Sequence, residues 1–367
     1  MRAAATLAYD AGPVQATPNG VGVYVRELAL ALLERRSDDD DVVLIGARRD
    51  GPLAGVARTL MRGERHQVWV QRHANADVRS ASADLVHYTN AIAPLRSVRP
   101  FVLTIQDLSL VRYPYYHPKL RLAAVPVMMS AAHRARAVMV PSRATADELH
   151  RLLRVPPRRI VITELAPGPD GGVENADPSE VLARFGLERG RYIVSTATLE
   201  PRKNIARLVA AFEQLAARDA DLRLVLVGAV GWRTSKIELR LASSPVEDRI
   251  VRTGFVSDAD RMALIEASSA FVYVSLYEGY GLPIVEAMSA GAPVVTSNLS
   301  SMPEAAGGAA VLVDPLDPGA IAAGVEEAIQ QRPALVKAGR RRAAKLSWTR
   351  TAEATRAVYQ QARGRWV

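Results

Sequence analysis

Residues Val274 to Val295 read VSLYEGYGLPIVEAMSAGAPVV, and the reading of this stretch decides the fold. The run AFVYVS just before it and the run APVVTS at its end are short, apolar and rich in β-branched or aromatic residues, as buried strands are. Between them LYEGYG forms a turn, and LPIVEAMSAG forms a short helix with Pro283 in its first turn and Gly291 just past its end. The amides of Gly281 and Leu282 then lie at a helix N-terminus, a position suited to a phosphate. Glu286 falls one turn into the helix, within reach of a sugar diol. Glu278 falls in the loop, at the rim of an expected cleft. A plain strand–turn–helix with an acid near the helix dipole accounts for Glu286. It does not account for two acids eight residues apart, three small turn residues and a Tyr280 expected to be exposed, all within nine positions.

The same alternation runs along the chain. Strand-like runs include RAAATLAY, DVVLIGA, DLVHYT, FVLTIQD, AVMVPS, YIVSTAT, RLVLVGA, RIVRTGF and AAVLVD. Between them lie amphipathic stretches such as VYVRELALALLERR and NIARLVAAFEQLAARD, apolar at three- and four-residue spacing. Short near-continuous apolar strands separated by helices predict an α/β fold with doubly wound parallel sheets. The aperiodic stretch from Leu165 to Glu180, LAPGPDGGVENADPSE, marks a linker. The expected domains are 1–168 and 175–349, with a terminal helix over 350–367 packing back on the first. Two such domains facing each other leave a cleft at the carboxyl ends of their strands.

The chain has 367 residues, natural for two domains of moderate size, and 49% hydrophobic residues, enough for real cores. It has no cysteine, which excludes disulfides, thiolate metal sites and cysteine catalysis. No apolar run is long enough to span a membrane, and the N-terminus lacks a signal-like apolar region, so a cytoplasmic protein is expected. The formal net charge of +9 favours nucleic acid, anionic membranes or anionic small substrates as partners. No basic stretch is interleaved with aromatics, which places nucleic acid last of the three.

With its neighbours, EGYGLPIVE resembles the E-x7-E signature of retaining glycosyltransferases of the GT-B architecture, family 4, the group 1 sugar transferases. TLEPRKNIARLVAAF, RIVRTGFVSDADRMALIEAS, AMSAGAPVVTSNLSSMPEAAGGAAVLVDPLDP, NGVGVYVRELALAL and VLTIQDLSLVRYP resemble that family in order and spacing. The resemblance implies two facing Rossmann-like domains with an interdomain cleft, the first binding the acceptor and the second the nucleotide-sugar donor. It implies that Glu286 takes the ribose hydroxyls, that Glu278 faces the transferred sugar, and that the Gly281 and Leu282 amides, with Tyr280 in the same loop, hold the donor. It places the base against the turn Gly254-Phe255-Val256. It makes Lys203 and its neighbour Arg202 the cations that stabilise the departing diphosphate, so no metal and no cofactor are expected. The bland reading of both is a basic helix start with solvated side chains. Gly20 and Gly22 are expected beside the donor phosphate and acceptor, and His87 at a strand end facing the cleft. Gln106 and the adjacent Asp107 stand where relatives read His-Asp; Gln106 keeps hydrogen-bonding capacity but carries no charge. A second arginine found in several relatives is Ala197 in this chain.

The function these features imply is transfer of a sugar, with retention, from a nucleoside-diphosphate donor of the GDP-mannose kind to a hydroxyl acceptor in glycan, glycolipid or secondary-metabolite synthesis. A sugar-nucleotide hydrolase or phosphorylase on the same fold, and a donor-binding subunit with lapsed activity, are the competing readings; Gln106 keeps the last one open. The segment KLRLAAVPVMMSAAHRARAV, apolar with basic flanks, suits either an anionic membrane surface carrying a lipid-linked acceptor or ordinary packing against a sheet.

Overall fold

The computed structural model describes residues 5–15, 20–35, 40–168 and 176–364. The chain divides into two compact units. The first comprises Met1–Pro114, Lys119–Asp170 and Ser347–Val367; the second comprises Tyr115–Pro118 and Gly171–Leu346. Each is built on one six-stranded sheet whose paired strands are all parallel.

In the first unit the strands are β1 (Ala5–Asp10), β2 (Asp40–Ile45), β3 (Leu85–Tyr88), β4 (Phe101–Thr104), β5 (Val138–Val140) and β6 (Ile160–Ile162), in the order β2-β1-β3-β4-β5-β6. β3 and β4 are buried along their whole length, as strands covered by helices on both faces must be. The terminal helix Trp348–Arg363 belongs to this unit and packs against the helix Gly20–Glu34 and against β3 and β4. Trp348 and Tyr359 anchor it, both almost wholly buried. The strand absent from the sequence reading is β6, three half-buried residues at the sheet edge.

In the second unit β7 (Tyr192–Thr196), β8 (Arg223–Val227), β9 (Ile250–Gly254), β10 (Ala270–Tyr273), β11 (Val294–Ser297) and β12 (Val311–Val313) lie in the order β12-β11-β10-β7-β8-β9. The chain winds outward from β7 to β9, then returns to the other side of β7 at β10. The strand order therefore reverses between β7 and β10, and it is at the carboxyl ends of strands at such a reversal that open α/β sheets bind ligands. Its core joins the helix Ile205–Ala216, through Leu208, Val209 and Phe212, to the apolar centres of β7, β8 and β10.

Tyr115–Pro118 lies between two segments of the first unit in sequence but packs with the second. There Trp232 Nε1 donates to the Tyr116 carbonyl at 2.8 Å.

Candidate active site

The loop after β7 is Ala197 to Asn204 and the loop after β10 is Val274 to Gly281, so the two segments singled out by sequence flank the reversal point of one sheet. Their backbones are tied: the Leu276 amide donates to the Arg202 carbonyl at 2.9 Å. Pro201–Lys203 forms a single 3-10 turn, ended by Asn204 in the left-handed region at φ 62°. Asparagine tolerates that conformation better than most residues. Its side chain donates to the carbonyls of Val274 and Pro315 at 3.0 and 2.7 Å, which fixes the loop.

Arg202 and Lys203 turn inward from this frame. Their side chains are only 13% and 12% exposed, so the solvated helix start does not describe them. Lys203 Nζ donates to Glu278 Oε1 at 2.6 Å and to the Tyr273 hydroxyl at 2.7 Å. The Tyr273 hydroxyl in turn donates to the same carboxylate oxygen at 2.9 Å. Arg202 donates through Nη1 to Glu278 Oε2 at 2.8 Å and through Nη2 to Glu200 Oε1 at 2.7 Å. Two cations thus face two carboxylates, and the cluster is close to neutral as it stands. Glu278, expected at a cleft rim, is instead buried, and the cations that hold both of its oxygens offset the cost of burying its charge.

The electrostatics follow from this enclosure. Burial disfavours the Glu278 carboxylate, but Arg202 and Lys203 outweigh it and bring its pKa from the ordinary 4.5 to about 2. Burial lowers the pKa of Lys203, and Arg202 adds to this, while Glu278 and Glu200 oppose it. Burial first, then the Glu278 charge, raises the Tyr273 phenol well above its usual range, so it stays a donor.

The helix Leu282–Ala290 starts from Gly281 at φ 107°, a conformation open to glycine. A Cβ there would also lie 2.9 Å from Ile284 Cδ1. Among the described residues the amides of Gly281 and Leu282 have no acceptor within the chain. Tyr280 is buried, 3% exposed, which corrects the exposed ring expected from sequence; Ser301 Oγ donates to its carbonyl at 2.9 Å and draws the loop inward. Glu286 is buried in the same helix and receives Arg261 Nη1 at 2.6 Å.

Gly254 stands at φ 68° at the end of β9, followed by Phe255, 58% exposed, and Val256. The Gly228 amide donates to the Gly254 carbonyl at 2.9 Å. Gly228 itself, at φ 139°, sits so close to the Ala197 carbonyl that a Cβ would lie 2.2 Å from its oxygen. Sequence reading passed over Gly228, Glu200, Tyr273 and Arg261. Only the glycine in the run LVLVGAVGW carried a local signal, a glycine directly after a strand.

The candidate residues of the first unit are arranged differently. Gly20 opens its helix with no atom near its missing Cβ, and Gly22 is buried in the first turn. Residues 16–19 of the preceding loop lie outside the described residues. His87 does not face a cleft: it is fully buried, with Nδ1 2.8 Å from the Tyr359 hydroxyl and Nε2 2.7 Å from Thr104 Oγ1. Burial lowers its pKa to about 3, so the ring is neutral and joins the terminal helix to the sheet. Asp107 Oδ1 accepts from the amide and hydroxyl of Ser109, capping a short turn. Gln106 is half-buried, and its Nε2 is buried without a hydrogen-bond partner among the described residues. No group of three or more His, Asp or Glu side chains placed to hold a metal ion occurs among the described residues.

Two family models match the chain, Glycosyltransferase Family 4 over residues 18–164 and Glycosyl transferases group 1 over residues 182–345. The O-antigen chain mannosyltransferase B of Escherichia coli is 36% identical over 72% of this chain and 71% of its own length. The alpha-maltose-1-phosphate synthase of Mycolicibacterium smegmatis is 29% identical over 93% of this chain and 95% of its own. Among solved structures, the sucrose-phosphate synthase of Thermosynechococcus elongatus superposes with a TM-score of 0.73 at 20% identity, over 97% of this chain and 98% of its own. Anabaena HepE, in complex with UDP and glucose, gives 0.74 at 17% identity, over 97% and 100%. The fold is that of the GT-B glycosyltransferases. With both halves matched by the two models and a relative of this identity spanning most of its length, the chain belongs to the family 4, group 1 glycosyltransferases.

Proposed function

We propose that this glycosyltransferase moves a hexose, with retention, from a nucleoside-diphosphate sugar to a hydroxyl acceptor, with GDP-mannose as the favoured donor. The observation that carries the proposal is the buried Arg202–Lys203–Glu278 cluster in the same loop pair as the unengaged Gly281 and Leu282 amides. Cleavage of a sugar–phosphate bond leaves negative charge on the diphosphate, and preorganised cations and amides lower the cost of that charge. The cations here are held in place before any ligand arrives, at the strand ends where α/β sheets bind ligands. These groups make a metal ion unnecessary for leaving-group stabilisation. Glu286 takes the ribose, so the two acids of the motif do not form a double-displacement pair; the leaving phosphate takes the acceptor proton on the same face. The mannosyl donor is supported by the similarity to an E. coli mannosyltransferase. Gln106 Nε2, buried without a partner, is a hydrogen-bond donor suited to a substrate oxygen.

Thermal unfolding of the full chain with GDP, UDP, ADP and dTDP tests the donor class. A rise in midpoint with GDP well above that with the other three supports the proposal, and no rise with any of the four refutes it.

No helix among the described residues is long and apolar enough to cross a membrane. A specific observation favours peripheral contact by the first unit. The helix Val125–Arg134 buries Met128, Ala131 and Ala132 but leaves Pro126 and Met129 exposed, and Ala123 and Leu120 in the turn and short helix before it are exposed as well, the last at 76%. Lys119 and Arg121, both exposed, stand on either side of Leu120 in sequence. Apolar groups with basic flanks suit an anionic bilayer, and a lipid-linked acceptor is the chemistry this would serve. Co-sedimentation with vesicles containing phosphatidylglycerol, lost in Leu120→Glu, is the expected result; equal sedimentation of the variant refutes it.

A further inference from the structure

The sequence motif accounts for Glu286 but not for what Glu286 touches. Arg261 lies in the helix Asp258–Glu266, which starts directly after the turn Gly254-Phe255-Val256. Its start is fixed by Ser257, whose side chain accepts from the Asp260 amide at 3.1 Å, and by an ion pair from Arg184 to Asp260 at 2.6 Å. From this anchored helix Arg261 presents Nη1 to Glu286 Oε2 at 2.6 Å and Nη2 to Glu286 Oε1 at 3.4 Å. Nη2 also donates to Asp258 Oδ1 at 3.1 Å. The guanidinium is thus clamped between two acids, one on its own helix and one on the neighbouring helix. Burial disfavours its charge, but Glu286 and then Asp258 outweigh this and raise its pKa.

A two-pronged guanidinium fixes more than the charge of its partner. Two parallel donors set the plane of a carboxylate, which a single ammonium cannot do. The Glu286 side chain is 8% exposed, so without Arg261 its charge would stand buried with no cation. With Arg261 in place each carboxylate oxygen has one lone pair engaged and one remaining. Two acceptor oxygens in one fixed plane match two neighbouring hydroxyls.

We infer that Arg261 is a positioning residue that fixes the plane of Glu286 against the 2′ and 3′ hydroxyls of the donor's ribose, and that this pair makes the site prefer ribonucleotides over 2′-deoxyribonucleotides. The inference rests on the reading of Glu286 as the ribose acid.

Titration calorimetry with GDP and with 2′-deoxy-GDP tests it, on wild type, Arg261→Gln, Arg261→Lys and Glu286→Gln. Wild type is expected to bind the deoxy form about tenfold more weakly or worse, the loss of a hydrogen bond to a charged acceptor. Arg261→Gln should bring that ratio below about threefold, through weaker GDP binding rather than tighter deoxy binding. Arg261→Lys keeps the charge but not the fork, and its ratio should fall likewise; it carries the test should Arg261→Gln not fold. A low ratio in Glu286→Gln beside an unchanged ratio in the Arg261 variants overturns the inference and leaves the ribose reading standing. Arg261 variants with lowered melting points and an unchanged ratio also overturn it, since a purely structural pair behaves that way. An unchanged ratio in Glu286→Gln, or a wild-type ratio near one, removes the ribose reading and the inference together.

Discussion

Glu278→Gln is the substitution the structure speaks to most directly. It keeps the size of the side chain and removes one charge, leaving Arg202 and Lys203 with Glu200 as their remaining carboxylate partner. The fall of the Glu278 carboxyl from the ordinary 4.5 to about 2 corresponds to roughly 3 kcal/mol of preference for its ionised form in the folded protein. Breaking a buried ion pair by removing one partner costs about 3–5 kcal/mol on general grounds, which agrees. Lys203 works the other way: burial and Arg202 lower its pKa, so burying its charge is itself unfavourable and the net effect lies near the lower figure. A folded pKa below the unfolded one contributes stability that is present above pH 4.5 and is lost as pH falls through 2. For a domain of this size roughly 3 kcal/mol is a drop in midpoint of about 6–12 °C. Thermal unfolding of wild type and variant should show that gap at pH 7 and pH 5, closing toward pH 2. Saturating GDP should restore part of it, because the diphosphate supplies the missing anion. A variant within about 1 °C of wild type at pH 7 would show that the two cations do not hold Glu278.

Other outcomes follow from the same geometry. Lys203→Ala should lower kcat on the order of a hundredfold, the loss of one preorganised donor, while EDTA leaves wild-type turnover intact; activity lost to EDTA and regained with Mg or Mn would contradict the assignment. His87, neutral with a pKa near 3, binds no proton in the folded state at pH values where the unfolded chain does, so stability of the first unit should fall as pH drops from 6.5 toward 3. His87→Gln should flatten that slope in acid unfolding curves, and an unaltered slope would place the proton uptake elsewhere. Gln106→His should change the ratio of kcat/KM between GDP-mannose and GDP-6-deoxymannose; identical ratios would remove residue 106 from donor choice.

What the sequence made legible was local. The parallel sheets could be read because each strand is a short apolar run between amphipathic helices. Arg202, Lys203 and Glu278 could each be named from the family resemblance, but not their ion pairs with one another, which join loops 75 and 76 residues apart. His87 could not be placed, because its burial depends on Tyr359, 272 residues away on a helix that covers the sheet. Arg261 was invisible for the same reason: its acid is 25 residues distant, and a lone arginine on an amphipathic helix reads as solvated surface. Tyr280 looked exposed because it sits in a glycine turn, yet Ser301 pulls that turn into the domain. The edge strand β6 is only half-buried and lies between the basic turn Pro157–Arg159 and the glycine- and proline-rich linker, so its apolar run lacks the helix-flanked setting of the other strands.

The central claim is that this chain transfers a hexose from a nucleoside-diphosphate sugar with retention. Incubation of the purified chain with GDP-α-mannose and an alkyl α-mannoside, followed by NMR of the products, tests it most directly. The account predicts GDP and a new disaccharide whose transferred residue carries the α-anomeric signal, formed equally in the presence of EDTA. A β-linked product, or release of free mannose with no acceptor consumed, would contradict it.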